Sequence, residues 1–573
     1  MSPAVYLDYA ATTPVDARVA AVMADCLTRT GTFGNPGSMS HGYGDAASER
    51  VERAREQVAA AVGATAADVV WTSGATEANN LALFGVAHYY RDTGRHIVTS
   101  RTEHKAVLDP CRELERRGWR VTYLVPRNDG LLDPAQVAAA LQPDTVLVSV
   151  MHVNNEIGVI QDIAAIAAVC AAHGSARLHV DAAQSMGKVP LDFARSRVDL
   201  MSLSAHKAYG PKGVGALLVS RGRGVHLQAL LFGGGQERNL RSGTVATHQV
   251  AGMGAAFALA RAEQHEEMPR IASLRDRLWS QLGALGGVLR NGDPEHCVAH
   301  LLNVSFEDVE GESLLAVVRP FIAVSTGSAC TSAVREPSYV LRALGRDERL
   351  AESSLRFSFG RFSTDADVTQ ALRAVARGVA HLRRVAGSRI PRRELAGLAQ
   401  EAAAAHPGAP ARDAAGWDGE DLAAGSDAVG RGCVGDAPGR RRAASVGATH
   451  YNELTRHHFE TAAAAGALHG RGIRRGEAGS RAQGTWVRFE AQVEASERGA
   501  TLRSVKFAAY ACPHVIAVAD WIAQQMAGRP AEPVLPESVS LLQQRFGVPI
   551  EKLGRLLIVE DAWIAAISAP HSP

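Results

Sequence analysis

Lysine is scarce in this sequence. Of its 61 lysines and arginines only six are lysines, at positions 105, 188, 207, 212, 506 and 552. Two of the six stand in the stretch MSLSAHKAYGPKGVGAL, where Lys207 follows a short strand-like run and is itself followed by glycines. A lysine at the end of a strand is often an ordinary solvated residue, so its neighbours decide what it does.

Long apolar runs, paired cysteines and a charge excess of one sign are also missing. No stretch reaches about 18 uninterrupted apolar residues, so we expect no membrane span. The opening MSPAVYLDYAATTP has no basic start and no apolar run, so we expect no secretory signal. The net charge of +2 argues against nucleic-acid binding. The seven cysteines form no CxxC pair, which indicates a reducing compartment, and we expect the cytoplasm.

Strand-like and helical runs alternate from residue 1 to about 390. HIVTS (96–100), TVLVSVMHV (145–153) and RLHVDAA (177–183) are short apolar runs, and DAASERVERAREQVAAAV (45–62) has a helical pattern. This alternation predicts an α/β domain with a large, mostly parallel sheet, which binds ligands at the carboxyl ends of its strands. A different mixture from roughly 300 to 385 predicts a smaller α+β lobe.

The chain changes character at residues 391–447, which are rich in Ala, Gly, Asp, Arg and Pro. Such a segment cannot bury enough apolar surface to offset its ordering entropy, so we expect a flexible linker. Order resumes near Tyr451, with predicted strands at 485–495 and 502–511 and a predicted helix at 513–528. Because 573 residues exceed a single core, we expect a separate α+β domain over 448–573.

Polar groups at predicted strand ends suggest one cofactor. HVDAAQS (179–185) places Asp181 and Gln184 at the end of a strand upstream of Lys207. TSGATEANN (72–80) is a small-residue turn that opens a helix, whose free N–H groups suit an anion. A lysine for a Schiff base, a carboxylate for a pyridinium nitrogen and a helix N-terminus for a phosphate together predict pyridoxal phosphate.

Four further residues suggest a substrate site. His104 in TEHKAV has a flat ring that can lie against a planar cofactor. Asn155 in MHVNNEIG offers an amide, and Arg356 in SSLRFSFGR offers a planar fork suited to a carboxylate. Cys330 lies in the Gly/Ser/Thr run VSTGSACTS, where a thiol is a candidate nucleophile. The alternative is an incidental exposed cysteine.

Residues 1 to about 390 resemble the cysteine desulfurases, which are fold-type I pyridoxal phosphate enzymes of iron–sulfur cluster assembly. The motifs that carry this resemblance are YLDYAATTP, GTFGNPGS, TSGATEANN, TEHKAVLD, MHVNNEIGVIQDI, HVDAAQSMGK, SAHKAYGPKG, RSGT, STGSACTSAVREPSYVLRALG and LRFSFGRF. The length of the segment around Cys330 resembles the long-loop class, which feeds scaffold proteins directly. The resemblance implies a homodimer that acts on L-cysteine and passes sulfur to acceptor or iron–sulfur scaffold proteins.

The resemblance implies how the cofactor is held. Lys207 would form the Schiff base and then shuttle protons. Asp181 would hold the pyridinium N–H, and Gln184 would contact the phenolic oxygen. His104 would stack on the ring and act as an acid or base. The phosphate would be held by residues of TSGATEANN, SAHKAYGPKG and RSGT, namely Ala75, Thr76, Ser204, His206 and Thr244. Of these, Thr244 would reach in from the partner subunit.

The resemblance also implies the reaction. Asn155 and Arg356 would fix the substrate carboxylate. Cys330 would attack the substrate sulfur, which leaves a persulfide on the enzyme and alanine as product. The nearest enzyme alternative is a selenocysteine lyase or another lyase of the same fold, against which Cys330 argues. An adaptor or regulator built around the tail is the other alternative, and the intact cofactor residues argue against it.

The tail from about 448 to 570 resembles the U-type iron–sulfur scaffold proteins, through YNELTRHHFETAAAAGAL, LRSVKFAAYACPHVIAVADWIAQQMAGRP and EKLGRLLIVEDAWIAAI. Such a scaffold holds its cluster with three cysteines and a nearby Asp or His. Of these only Cys512 remains. Gln483 and Thr485 stand at the cysteine and aspartate positions, and Gly554 and Arg555 stand where His-Cys is expected. We therefore expect no metal site.

Three interpretations of the tail stay open at this point. Cys512 is a possible sulfur relay, since a tethered domain has a high effective concentration near the enzyme. In the second interpretation, the tail is a non-catalytic docking or regulatory module that occupies the scaffold site. In the third interpretation, Cys512 is only a small, partly buried residue at the start of a helix.

Overall fold

The computed structural model describes residues 4–326, 337–388, 451–496 and 499–570. The predicted linker (391–447) and Cys330 lie outside the described residues. None of the helices in these ranges has the length and apolar composition needed to cross a membrane.

Strands and helices alternate through most of the described chain. The strands are Val5–Tyr6 (β1), Val69–Thr72 (β2), His96–Ser100 (β3), Arg120–Leu124 (β4), Thr145–Met151 (β5), Arg177–Asp181 (β6), Leu200–Ser204 (β7), Gly215–Val219 (β8), Val288–Arg290 (β9), Leu301–Phe306 (β10), Ile322–Ala323 (β11), Ser354–Ser358 (β12), Ile473–Ser480 (β13), Thr485–Ser496 (β14) and Gly499–Tyr510 (β15). The helices are Ala17–Ala24 (α1), Gly42–Ala61 (α2), Ala75–Tyr90 (α3), Lys105–Arg116 (α4), Pro134–Ala140 (α5), Ile163–His173 (α6), Thr247–Gly283 (α7), Gly311–Val318 (α8), Tyr339–Ala343 (α9), Glu348–Glu352 (α10), Asp365–Val385 (α11), Glu453–Thr461 (α12), Pro513–Met526 (α13), Val539–Phe546 (α14) and Leu553–Ser568 (α15).

A seven-stranded sheet in the order β2-β8-β7-β6-β5-β3-β4 is the centre of the large domain. β8 runs antiparallel to β7 and β2, and the pairings from β7 to β4 are parallel. Alternate residues of β5 belong to different apolar cores, with Leu147 packed beside α3 and α4 and Val148 beside α2 and α7. Helices therefore cover both faces, as the near-continuous apolar strands require. The predicted α/β class is confirmed.

The small lobe is an antiparallel sheet in the order β12-β10-β9, with a short parallel pair of β1 and β11 beside it. Helix α11 begins with a capping box in which Thr364 and Asp367 bond each other's backbone N–H groups. Its buried face packs with β10, β12 and α8 in one apolar core.

The tail has a three-stranded antiparallel sheet of its own, in the order β13-β14-β15. The predicted strands at 485–495 and 502–511 and the helix at 513–528 are present as β14, β15 and α13. Strand β13 was not predicted, because its sequence IRRGEAGS has no bulky apolar residue after Ile473, and Gly476, Ala478 and Ser480 occupy its less exposed positions.

The core of the tail continues into the small lobe. Leu314 and Val379 of the lobe belong to the same apolar cluster as Val515 and Trp563 of the tail. Hydrogen bonds cross the same boundary, since Ser313 Oγ donates to the Ala511 carbonyl at 2.8 Å. The tail is thus packed onto the lobe that also carries Arg356.

Candidate active site

A cavity of about 480 Å³ opens at the carboxyl ends of β5, β6 and β7. The first turns of α3 and α4 also reach it. Its lining includes nine of the residues that the sequence suggested: Ala75, Thr76, His104, Asn155, Asp181, Gln184, Ser204, His206 and Lys207. The residues come from distant positions in the chain, and the common edge of the sheet brings them together.

Lys207 ends a short 3₁₀ turn, Ala205–Lys207, that directly follows β7. Burial lowers the pKa of its amine, which favours the neutral, nucleophilic form. Its backbone carbonyl accepts a hydrogen bond from Lys188 Nζ at 2.9 Å. Beside it, burial and the Lys207 charge lower the pKa of His206 to about 4. The His206 ring is therefore neutral at ordinary pH.

The Asp181 carboxylate is held by two donors at the end of β6. Asn79 Nδ2 donates to Oδ2 at 2.7 Å, and the Ala183 N–H donates to Oδ1 at 2.9 Å. A carboxylate oriented in this way can accept the N–H of a cationic ring that enters the cavity.

His104 is the N-cap of α4 and faces the cavity. Its Nδ1 accepts the Ala106 N–H at 3.1 Å, so in the neutral ring Nε2 carries the proton. Burial and the charge of Lys207 lower the pKa of this imidazole, which keeps it neutral. The ring is thus positioned to exchange a proton through Nε2.

The opposite end of the cavity is suited to a phosphate. Helix α3 starts after Gly74, whose φ of 152° suits glycine, and no side chain caps its first N–H groups. Ser204 Oγ is buried there and has no hydrogen-bond partner in the part of the chain that the structure describes. An anion would satisfy both sets of donors, so the residues present fit pyridoxal phosphate.

Arg356 lies on β12, next to the Asn155 segment. Its guanidinium donates to the Asn155 carbonyl at 2.8 Å and pairs with Asp8 at 2.7 Å. Its Nε is buried without a hydrogen-bond partner among the described residues. One donor of this guanidinium is therefore unused among the described residues, and a guanidinium with a free donor suits a carboxylate.

The residues on either side of 327–336 are tied to the site. Ser325 Oγ donates to Asp8 Oδ1 at 2.9 Å, and Asp8 is the partner of Arg356. On the other side, Ser338 Oγ donates to Glu156 Oε2 at 2.5 Å, and Tyr339 donates to the Glu103 carbonyl at 2.8 Å. The described residues Ser325, Ser338 and Tyr339 therefore contact residues near the edge of the sheet where the cavity opens.

Two of the suggested residues lie elsewhere. Thr244 is exposed and lines a second cavity, of about 290 Å³, together with Arg55 and Glu237. Cys512 lies in the tail as the N-cap of α13 and is 0% exposed. Burial and the nearby Glu312 raise the pKa of its thiol, which disfavours the thiolate that accepts sulfur.

Sequence reasoning missed three residues that hold the site together: Asn79, Lys188 and Asp8. Lys188 was one of only six lysines, so its rarity was an available signal. Asn79 lies one helical turn after Thr76 in a motif that had been singled out. Nothing in the sequence indicates that Asp8 pairs with Arg356, because the two are 348 positions apart.

Comparisons with known proteins agree with this geometry. The aminotransferase class-V family matches residues 5–371. A cysteine desulfurase IscS from Azotobacter vinelandii is 59% identical over 379 residues, which are 66% of this chain and 93% of that protein. Another, from Pectobacterium atrosepticum, is 55% identical over the same length. Among solved structures, a NifS-like protein superimposes with a TM-score of 0.61 at 34% identity, over 65% of this chain and 98% of its own.

The chain belongs to the class-V aminotransferase family. Within that family it is a cysteine desulfurase, an enzyme that depends on pyridoxal phosphate. The family match ends at residue 371, and the relatives above correspond to about two thirds of the chain. They do not account for the tail.

Proposed function

We propose that this enzyme converts L-cysteine to L-alanine and passes the sulfur, as a persulfide of Cys330, to acceptors that build iron–sulfur clusters or other sulfur-containing cofactors. The observation that carries the proposal is the convergence of Lys207, Asp181 and His104 on one cavity that also fits a phosphate. The structure titled SspA in complex with cysteine, at 35% identity and a TM-score of 0.55, supports cysteine as the substrate.

When bound, pyridoxal phosphate supplies an electron sink next to the substrate α-carbon. Lys207 Nζ would hold the cofactor and would then take the α-proton, which its lowered pKa permits. Asp181 would accept the ring N–H of the cofactor, and His104 would donate or accept a proton through Nε2. Asn155 and Arg356 orient the substrate carboxylate through the amide and the unused donor of the guanidinium.

In the sulfur-transfer step the Cys330 thiolate is the nucleophile, and the electron sink of the cofactor would make the substrate carbon able to keep the electron pair. The Cys330 sulfur attacks the substrate sulfur, so that a sulfur–sulfur bond forms while the substrate carbon–sulfur bond breaks. The electron pair stays on the carbon, and protonation of that carbon completes alanine. No external oxidant is needed. The two electrons that the sulfurs lose when the sulfur–sulfur bond forms stay on the substrate carbon, which is reduced when it gains a C–H bond.

The assembly and location belong to the same proposal. We infer a homodimer in which Thr244, exposed in one subunit, reaches the phosphate of the other. A cytoplasmic location is supported by the five described cysteines, none of which forms a disulfide within the described ranges: Cys26, Cys111, Cys170, Cys297 and Cys512.

The test is the yield of alanine and sulfide from L-cysteine under a thiol reductant, with the full chain loaded with pyridoxal phosphate. We expect equal amounts of both products, and a loss of about 100-fold or more in Cys330→Ala. Lys207→Ala should lose both activity and the visible absorbance of the bound cofactor. The matched control is Cys26→Ala, which replaces a buried cysteine just beyond the end of α1. Full activity in Cys330→Ala would overturn the persulfide route and favour a selenocysteine lyase type of reaction.

A further inference from the structure

The face of the small lobe that contacts the tail carries three carboxylates. Glu310 is the N-cap of α8, Glu312 lies in the first turn of the same helix, and Glu352 is the last residue of α10. The two helices approach closely, because a side chain at Gly311 would collide with the backbone of Glu352. Burial and the neighbouring Glu312 raise the pKa of Glu310 to about 7. Left without counter-charges, this cluster would be costly to bury.

The tail supplies the counter-charges from the start of α15. Lys552 Nζ pairs with Glu312, and both side chains are largely buried. Tyr451, the first described residue of the tail, also donates to Glu312, at 2.9 Å. Charge-assisted bonds of this kind are stronger than neutral ones when they are shielded from water. Glu312 is therefore held by two tail residues that lie 101 positions apart in the sequence.

Arg555 completes the neutralisation. Burial alone would lower the pKa of its guanidinium, but the Cys512 thiol and the carboxylates of Glu310 and Glu312 raise it above its ordinary value. The Nη1 atom of this guanidinium is buried and has no hydrogen-bond partner among the described residues, so Arg555 acts on the carboxylates through its charge. The Arg555 charge thus offsets part of the repulsion among the lobe carboxylates.

The same contacts close Cys512 off. Its side chain is 0% exposed, and the backbone just before it accepts the Ser313 hydroxyl of the lobe. Among the described residues no group of three His, Cys, Asp or Glu side chains could hold a metal ion. The positive charges of Lys552 and Arg555, which act on the Cys512 thiol, would repel such an ion as well.

We propose that the tail is a permanently docked part of this enzyme, joined to the small lobe by the contacts of Lys552 and Tyr451 with Glu312, and that this joint closes both the lobe face and Cys512 to metal ions and to other proteins. The apolar core that the two parts share supplies the rest of the interface. The inference does not depend on the desulfurase activity.

The first test measures how fast Cys512 of the folded full-length chain, with its cofactor, reacts with an alkylating reagent, followed by peptide mass mapping. We expect slow labelling in the wild type and at least about ten-fold faster labelling in the double charge reversal Lys552→Glu/Arg555→Glu, because the joint opens locally. The matched control is Arg471→Glu/Arg503→Glu, which makes the same charge change at exposed tail positions. Labelling of wild-type Cys512 at the rate of the reversal variant would overturn the proposal.

The second test needs no substitution at the joint. A protease site placed within 391–447 allows the folded chain to be cut after purification. The proposal expects the two pieces to elute together and zinc added to the uncut protein to remain unbound. Separation of the wild-type pieces on dilution, or stoichiometric zinc binding that depends on Cys512, would contradict it. Neither readout uses L-cysteine, so failure here is distinct from failure of the desulfurase assignment.

Discussion

Lys188 acts on the active site without lining the cavity. Its Nζ donates to the Lys207 carbonyl at 2.9 Å and lies 3.4 Å from Gln184 Oε1. Burial and the charge of Lys207 lower its pKa to about 7. One amine thus holds the backbone of the reactive lysine and the amide of a predicted cofactor contact.

We expect Lys188→Met to lower kcat about ten-fold or more, because a small displacement of a reacting group is costly. The KM for L-cysteine should change less, since Lys188 does not contact the substrate site. Lys188→Arg keeps a donor and should retain more of kcat. Steady-state kinetics of these variants beside Lys506→Met, a lysine of the tail, check this. Equal kcat values for Lys188→Met and Lys506→Met would show that Lys188 does not position Lys207.

At the scale of elements, His179 ties three neighbouring strands together. Its ring lies in the middle of β6 and bonds Ser149 Oγ of β5 at 2.8 Å and Ser202 Oγ of β7 at 2.9 Å. Burial lowers its pKa to about 4. The bridge therefore depends on an imidazole that stays neutral in the folded protein.

This bridge predicts a loss of stability in mild acid. The unfolded chain takes up a proton on His179 below about pH 6.5, whereas the folded chain does so only near pH 4. The stabilisation is therefore complete above about pH 6.5 and is lost progressively as the pH falls from there toward pH 4. His179→Gln should lower the unfolding free energy at pH 8 by about 1–3 kcal/mol and make its decrease toward pH 5 smaller.

Urea unfolding of the wild type and His179→Gln at both pH values measures these differences. The exposed His265 on α7 provides the control His265→Gln, which should leave the pH dependence unchanged. An identical pH dependence in His179→Gln and the wild type would rule out the neutral bridge.

At the scale of the whole molecule, the small lobe and the tail share one apolar core. Leu314 and Val379 of the lobe and Val515 of the tail are each no more than 1% exposed. Removing the tail would expose apolar residues of α8 and α11 that now belong to the shared core, and exposed apolar surface favours aggregation.

We therefore expect a chain that ends at residue 388 to have a lower Tm, to bind more of a hydrophobic dye and to aggregate more readily than the full chain. Differential scanning calorimetry and dye fluorescence measure these effects. The control is the full chain cut within 391–447, whose tail remains docked and whose Tm should match that of the intact protein. An unchanged Tm in the truncated chain would mean that the shared core contributes little to stability.

The sequence was sufficient for the α/β class and for most of the cavity. Strand ends can be recognised from local patterns, and parallel strands bring their carboxyl ends to one edge. For this reason Asp181, Lys207 and His104 could be placed together before any contact was known. Their individual roles stay predictions, as does that of Cys330.

Only the tertiary structure decided which residues support that cavity and where the tail lies. Asn79 and Lys188 act through hydrogen bonds to residues that the fold brings near, and no local pattern encodes such a contact. The burial of Cys512 depends on Glu312 and Ser313, about 200 positions away. The sequence left three interpretations of that thiol open. Its exposure depends on the contact between the small lobe and the tail, and the residues adjacent to Cys512 in the chain do not determine that contact.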